Sequence, residues 1–276
     1  MNERRSVGAG GVDRFIGIVR DRLDGTPLAA MLDVDGTLAP IAPTPEQAMV
    51  PAETRETLRR LVALPGVVVA LVSGRAAADA WRLAGVDGAW VIGNHGFELR
   101  TPDGQLSPLD AVRPFEDRIA EAAHLLSAVE PVVPGAIIEN KRWTMSLHYR
   151  LVDPDDVGAL VERARDVART LDLRITEGKK IVELRPPVDV DKGTATISLV
   201  EHVGALAHDA SVLYAGDDRT DEDAIAALRT RTERAVTVHV SGSNDQMAGT
   251  RAEVVLDSTE ELREVLDLIV ARRSHA

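Results

Sequence analysis

Apolar runs that stop abruptly at polar residues recur along this chain. They cover residues 28–32, ending at Asp33; 67–72, running into Ser73-Gly74-Arg75; 90–92, ending in Gly93-Asn94-His95-Gly96; 211–215, ending in Gly216-Asp217-Asp218; and 235–240. The runs at 28–32, 67–72, 90–92 and 212–215 are unbroken rather than alternating, the pattern of strands covered on both faces, while 235–240 carries Thr237 and His239. Helical spacing fills the intervals. Thr54, Leu58, Leu61 and Val62 form a stripe between Pro51 and Pro65-Gly66, an Ala-rich stretch reaches about Leu83, and further helices are predicted near 194–203, 224–228 and 260–271, the last capped by Ser258 or Thr259. The spacing over 13–24 predicts an opening helix. Strands alternating with helices call for a doubly wound parallel α/β sheet with right-handed crossovers, whose ligand crevice lies beyond the carboxyl ends of the strands.

From about Leu106 the rhythm changes. A helix over 114–128, strands over 135–139 and 143–150, a helix opened by Pro154 and a strand pair over 173–176 and 180–185 make an α-β-β-α-β-β insertion. The alternation Met145-Ser146-Leu147-His148-Tyr149 predicts a sheet with one face packed and one open. The expected division is a core from 1–106 and 187–276, with a cap over 107–186 bounded by Leu106 and Pro186-Pro187.

Composition narrows the functions this fold could serve. A formal charge of −12 and a pI near 5.1 argue against a nucleic-acid or anionic-membrane partner, and 3% aromatics against a base-stacking platform. With no cysteine, thiolate metal sites and Cys nucleophiles are excluded. The N-terminus lacks the apolar core of a signal peptide and no apolar run approaches the ~20 residues of a membrane span, so a cytoplasmic protein is expected, with a monomer as the default.

Two stretches carry the candidate chemistry. In extended backbone, side chains at i and i+2 point the same way, so Asp33 and Asp35 share a face where the first strand gives out. Two anions that close need a cation or strong hydrogen bonds to stay ionised together. A calcium loop would want Asp or Asn at 37, Gly at 38 and Glu at 44, where the chain has Thr37, Leu38 and Thr44. Gly216 to Asp223 packs four Asp and one Glu into eight residues; a helix N-terminus favours one or two acids, not so many. Asp217 and Asp221, four apart, would face one direction if a helix starts there. An oxygen-rich, cysteine-free site suits Mg²⁺. Lys192 and Ser73, at strand ends beside these carboxylates, could serve a phosphoryl group, whereas each alone reads as a solvated side chain or a cap.

Taken in order, D-V-D-G-T-L, S-G-R, D-K-G and G-D-D-R-T-D-E-D resemble the four motifs of the haloacid dehalogenase superfamily of aspartyl-phosphate phosphatases. N-H-G, E-N-K at 139–141, H-Y-R at 148–150 and G-K-K-I-V-E-L-R-P at 178–186 are similar to the trehalose-6-phosphate phosphatase family within it. The resemblance implies a Mg²⁺-dependent release of trehalose and phosphate from a sugar phosphate, the last step of trehalose biosynthesis. It assigns Asp33 as nucleophile and Asp35 as acid and base, with the ion on Asp33, the Asp35 backbone carbonyl and Asp217. Asp218 and Asp221 would orient that shell or Lys192, and Ser73 and Lys192 would bind the transferred group. Arg75, Asn94 and His95 would line the substrate site, and Glu139, Lys141, Arg150, Lys179 and Glu183 would bind sugar or phosphate. Open beside this are a related phosphatase acting on sucrose 6-phosphate or mannosyl-3-phosphoglycerate, and a phosphoaspartate receiver or silent partner of a synthase.

Overall fold

A computed structural model describes residues 12, 15–17, 22–178, 180–242 and 249–274. Half of the helix expected over 13–24, residues 13, 14 and 18–21, lies outside these residues, as does Lys179. The chain divides into two compact units, 1–106 with 190–276, and 107–189.

The first unit is built on β1 (Leu28–Leu32), β2 (Val67–Val72), β3 (Trp90–Gly93), β4 (Glu98–Arg100), β10 (Ser211–Gly216), β11 (Ala235–Val240) and β12 (Val254–Leu256), in the order β12-β11-β10-β1-β2-β3-β4, with β5 (Leu106–Pro108) at the edge. All pairs from β12 to β3 are parallel and β4 is antiparallel to β3. In β1 all five residues are buried, and successive side chains feed different cores. Leu28, Ala30 and Leu32 pack with α1 (Ala52–Val62), α2 (Ala77–Ala84) and α7 (Thr259–Arg273); Ala29 and Met31 pack with α5 (Lys192–His202) and α6 (Arg219–Arg231). Both faces are covered, which is why the strand reads as one apolar run.

Three strands escape the sequence pattern. β4, β5 and β12 are three residues each, too short for a run to declare itself. Two helices also begin earlier than the apolar spacing suggests. α5 starts at Lys192 behind an Asp191 capping box, and α6 at Arg219 behind an Asp218 capping box, so the first turns are polar and only the later turns carry the apolar face.

The second unit reads α3 (Glu116–Ser127), β6 (Ile137–Asn140), β7 (Met145–His148), α4 (Pro154–Thr170), β8 (Arg174–Gly178) and β9 (Ile181–Arg185). Its sheet, β6-β7-β9-β8, is wholly antiparallel. Met145, Leu147, Val182 and Leu184 pack against Ile119 and Leu126 of α3 and Leu160 and Val167 of α4, leaving the other face to Glu139, Ser146, Glu183, Thr176 and His148 with Ile137 and Ile181. The unit ends at Asp189, beyond the Pro186-Pro187 pair that marks it in the sequence.

Candidate active site

Parallel register brings the chemistry to one edge of the first unit's sheet. Leu32 pairs with both Ala215 and Leu71, and Val72 with Ile92, so β10, β1, β2 and β3 end nearly level. Asp33 follows β1 and remains tied to its neighbour strand by donating its N–H to Ala215 O (2.9 Å). Ser73 follows β2, Asn94 follows β3, and Asp217 follows β10.

The turn after Asp33 needs glycine. Gly36 has φ +84°, and a Cβ there would lie 2.0 Å from Asp217 Oδ2. The missing side chain lets the Asp217 carboxylate approach the first loop. Gly74 serves similarly: a Cβ would sit 2.5 Å from His95 Nε2. His95 itself, like Asn94, adopts a positive φ (56° and 48°).

Lys192 bridges the two acidic segments. Its Nζ donates to Asp33 Oδ1 (2.7 Å) and Asp221 Oδ1 (2.9 Å), with the lysine and both acids nearly or fully buried. Asp221 Oδ1 also accepts from the Tyr214 hydroxyl (2.7 Å), and its Oδ2 accepts the N–H groups of Asp217 and Asp218 (3.1 Å each). Asp218 in turn caps α6, accepting from the N–H groups of Thr220 (2.8 Å) and Asp221 (3.1 Å). The acid-rich stretch therefore divides its labour: Asp217 precedes the helix, Asp218 caps it, and Asp221 folds back to fasten the loop that carries Asp217. The four-residue spacing does not put Asp217 and Asp221 on one helical face, because only Asp221 lies in the helix.

Carboxylate oxygens of Asp33, Asp217 and Asp221 lie within 4.8 Å of one another, the one such cluster among the described residues. Burial and then the Asp33 charge push Asp217 up to about 10. Burial, followed by Asp221, holds Asp33 well above the usual carboxylate range despite Lys192, and burial raises Asp221 to about 6. Partial desolvation opposes ionisation of Asp218, a residue exposed where α6 begins, but Lys192 and the bonds from Asp221 and Thr220 outweigh it and hold that carboxyl well below its ordinary value. Lys192, although buried, is held well above its usual range by Asp221 and Asp33. Ionised together, Asp33, Asp217 and Asp221 would carry two negative charges more than the Lys192 ammonium offsets, an excess that one divalent cation would neutralise. The donor set is all oxygen, as hard cations require. Asp221 is saturated by four donors, so Asp33 and Asp217 are the carboxylates fitted to an ion.

A raised carboxylate pKa favours the proton in the folded state. The stability contributed by Asp217 is thus complete below its ordinary value of 3.8 and is lost as pH rises toward about 10. A divalent cation bound there would replace that proton. Adding Mg²⁺ should therefore raise the melting temperature by several degrees more at about pH 8.5 than at about pH 5.5, measured by differential scanning fluorimetry. Equal shifts at both would remove the cluster as the binding site.

Asp35 is held differently. Arg75 grips it with both prongs, Nε to Oδ2 at 2.6 Å and Nη2 to Oδ1 at 2.8 Å, while Nη2 also donates to Pro45 O (3.1 Å). Such a fork fixes both distance and plane. Ser73 is buried, and its Oγ accepts the Arg75 N–H (3.1 Å). Asn94 is fully buried and donates from Nδ2 to Glu98 Oε1 (2.8 Å); the same oxygen accepts the Ala77 N–H (2.6 Å), capping α2.

In the second unit Glu139, Lys141 and Glu183 come together. Lys141 Nζ lies 3.1 Å from Glu183 Oε1 and 3.9 Å from Glu139 Oε2. Thr144 and Ser146 also donate to Glu183 Oε1 (3.1 and 3.4 Å). Arg150 is exposed. Sequence reasoning missed Tyr214 and Glu98, and it quoted His148 within H-Y-R without giving it a role. A tyrosine in an otherwise aliphatic buried strand is the one such signal that could have been found, since its hydroxyl must have a partner.

The fold is that of the haloacid-dehalogenase-like hydrolases: one from Bacteroides thetaiotaomicron superposes with a TM-score of 0.56 at 17% identity, over 88% of this chain and 99% of that one. Within that class, the trehalose-phosphatase family model matches residues 31–260, and the chain belongs to that family. A trehalose-6-phosphate phosphatase related protein of known structure aligns with a TM-score of 0.76 and 28% identity, covering 90% of this chain and 99% of that one. The trehalose-phosphate phosphatase of Mycobacterium avium is 38% identical over 243 residues, 86% of this chain and 61% of its own length. The chain thus spans about three-fifths of the curated relatives it matches under that description. Among the described residues no helix is long and apolar enough to cross a membrane.

Proposed function

We propose that this chain is a Mg²⁺-dependent phosphatase that hydrolyses trehalose 6-phosphate to trehalose and inorganic phosphate through a phosphoaspartate, the last step of trehalose biosynthesis. The observation that carries the reading is the assembly of buried Asp33 and Lys192 with half-buried Asp217 at the sheet's carboxyl edge, inside a trehalose-phosphatase family match. Asp33 attacks phosphorus and the sugar oxygen leaves, a covalent route that divides one hard displacement into two. Lys192, 2.7 Å from Asp33 Oδ1, orients the nucleophile and offsets charge on the phosphoryl oxygens. Ser73, whose oxygen accepts from Arg75, keeps its O–H to donate to the phosphoryl group.

Asp35 gives a proton to the departing sugar oxygen and then takes one from the water that cleaves the intermediate. Donating that proton requires Asp35 to release at least one of its two Arg75 bonds; the ionised, forked state suits the second step. Asp33, the Asp35 carbonyl and Asp217 would hold Mg²⁺, which when bound supplies positive charge to the carboxylates and to the phosphate oxygens. Asp218 and Asp221 position Asp217 and Lys192. His95 and Arg75 line the substrate site, Asn94 acts through the turn it fastens to Glu98, and Glu139, Lys141 and Glu183, with Arg150 and Lys179, recognise the sugar phosphate. The chain is proposed to act in the cytoplasm with a small sugar phosphate as its partner.

Phosphate release across trehalose 6-phosphate, sucrose 6-phosphate and mannosyl-3-phosphoglycerate tests the reading. Trehalose 6-phosphate is expected to give the largest kcat/KM by at least tenfold, and chelation to abolish turnover. Equal or faster turnover of another member rejects the substrate.

A further inference from the structure

The open face of the second unit's sheet carries more polar structure than the sequence motifs account for. Cross-strand pairing aligns Glu139, Ser146, Glu183 and Thr176 in one row across β6, β7, β9 and β8, and aligns Ile137, His148 and Ile181 in the next. Paired residues in antiparallel strands share a face, so His148 lies diagonally next to Glu139. Its Nε2 is 2.9 Å from Glu139 Oε2. A carboxylate only accepts, so Nε2 carries the hydrogen and donates.

The two glutamates are held in different ways. Glu183 sits on an inner strand, and one of its oxygens collects donors from Lys141, Thr144 and Ser146. Glu139 stands on the edge strand β6, with its side chain 23% exposed against 7% for Glu183, and its Oε2 lies 2.9 Å from His148 Nε2 and 3.9 Å from Lys141 Nζ. A long side chain at an edge must otherwise lose its rotamer freedom when it binds a ligand. A donor that holds the carboxylate before any sugar arrives removes that cost in advance.

We propose that His148 is a positioning residue for sugar recognition: its N–H locks the Glu139 carboxylate in the orientation that accepts hydrogen bonds from hydroxyls of the substrate's sugar. The assignment rests on the function proposed above. It sets a specific role for a residue that touches Glu139 rather than the reacting atoms.

Steady-state kinetics on trehalose 6-phosphate and on p-nitrophenyl phosphate, which has no sugar, tests it with the full chain. His148→Leu is expected to raise KM for trehalose 6-phosphate about tenfold or more with kcat changed much less, and to lower kcat/KM for the sugar phosphate at least tenfold more than for p-nitrophenyl phosphate. His148→Gln, whose amide N–H reaches the place of Nε2, should recover most of the loss. Glu139→Gln combined with His148→Leu should be no worse than Glu139→Gln alone. If both substrates suffer alike, if the Gln variant fails to rescue, or if the combined losses multiply, His148 has no positioning role. A parent protein inactive on trehalose 6-phosphate defeats the functional reading, and this assignment with it; an active parent with an unchanged His148→Leu variant defeats this assignment alone.

Discussion

Replacing Asp33 with asparagine is expected to lower turnover by about 10⁴-fold or more while leaving the chain folded. The amide oxygen of the replacement can still accept from Lys192, which keeps Asp221 at 2.9 Å. The variant also removes a charge that burial and Asp221 disfavour. Since the Asp33 pKa is raised in the fold, its ionisation erodes stability as pH climbs above the ordinary value of 3.8, and the asparagine variant escapes that loss. Without added divalent cation, its melting temperature relative to the parent should therefore rise with pH. Residual activity above about one part in a hundred, with trace parent protein excluded by mass spectrometry, would reject covalent catalysis by Asp33.

Lys192→Met should do the opposite to stability. Methionine fills the space, but Asp33 and Asp221 lose the ammonium that both of them contact. Breaking a buried ion pair on one side costs about 3–5 kcal/mol, which for a chain of this size lowers the melting temperature by roughly 10 °C. In the parent, Lys192 stays charged up to and beyond its ordinary 10.5, so the cost is set by the carboxylates. It should be small near pH 4, where they hold protons, and grow as pH rises through about 6, where Asp221 ionises. Activity should fall with it at every pH. A variant as stable as the parent at pH 8 would mean that the lysine does not neutralise this cluster.

The sheet's carboxyl edge was legible because physical chemistry forces the signal: a strand buried on both faces must be apolar, and an acid that ends such a run has to be compensated. Asp33 and the acids after Ala215 announce themselves in that way. Partnerships were not legible. Nothing local joins Arg75 to Asp35 or Glu98 to the N-terminus of α2, since each depends on which strand ends the fold sets side by side, and Tyr214 meets Asp221, seven residues on, only because the loop between them folds back. The first turn of α6 was obscured by its own chemistry, because residues that cap a helix and residues that face an ion are the same residues.

The pairing of β1 with β10 also governs when this protein can come into being. Residues 28–32 stay unmatched along one side until residues 211–216 have been made. A chain emerging from the ribosome completes the stretch 107–189, a compact unit with its own apolar core, while the central strand of the other unit still presents a bare hydrophobic edge. Late closure of this kind slows folding and exposes the nascent polypeptide to aggregation, so its yield in a cell should respond to chaperone supply more than its final stability would suggest.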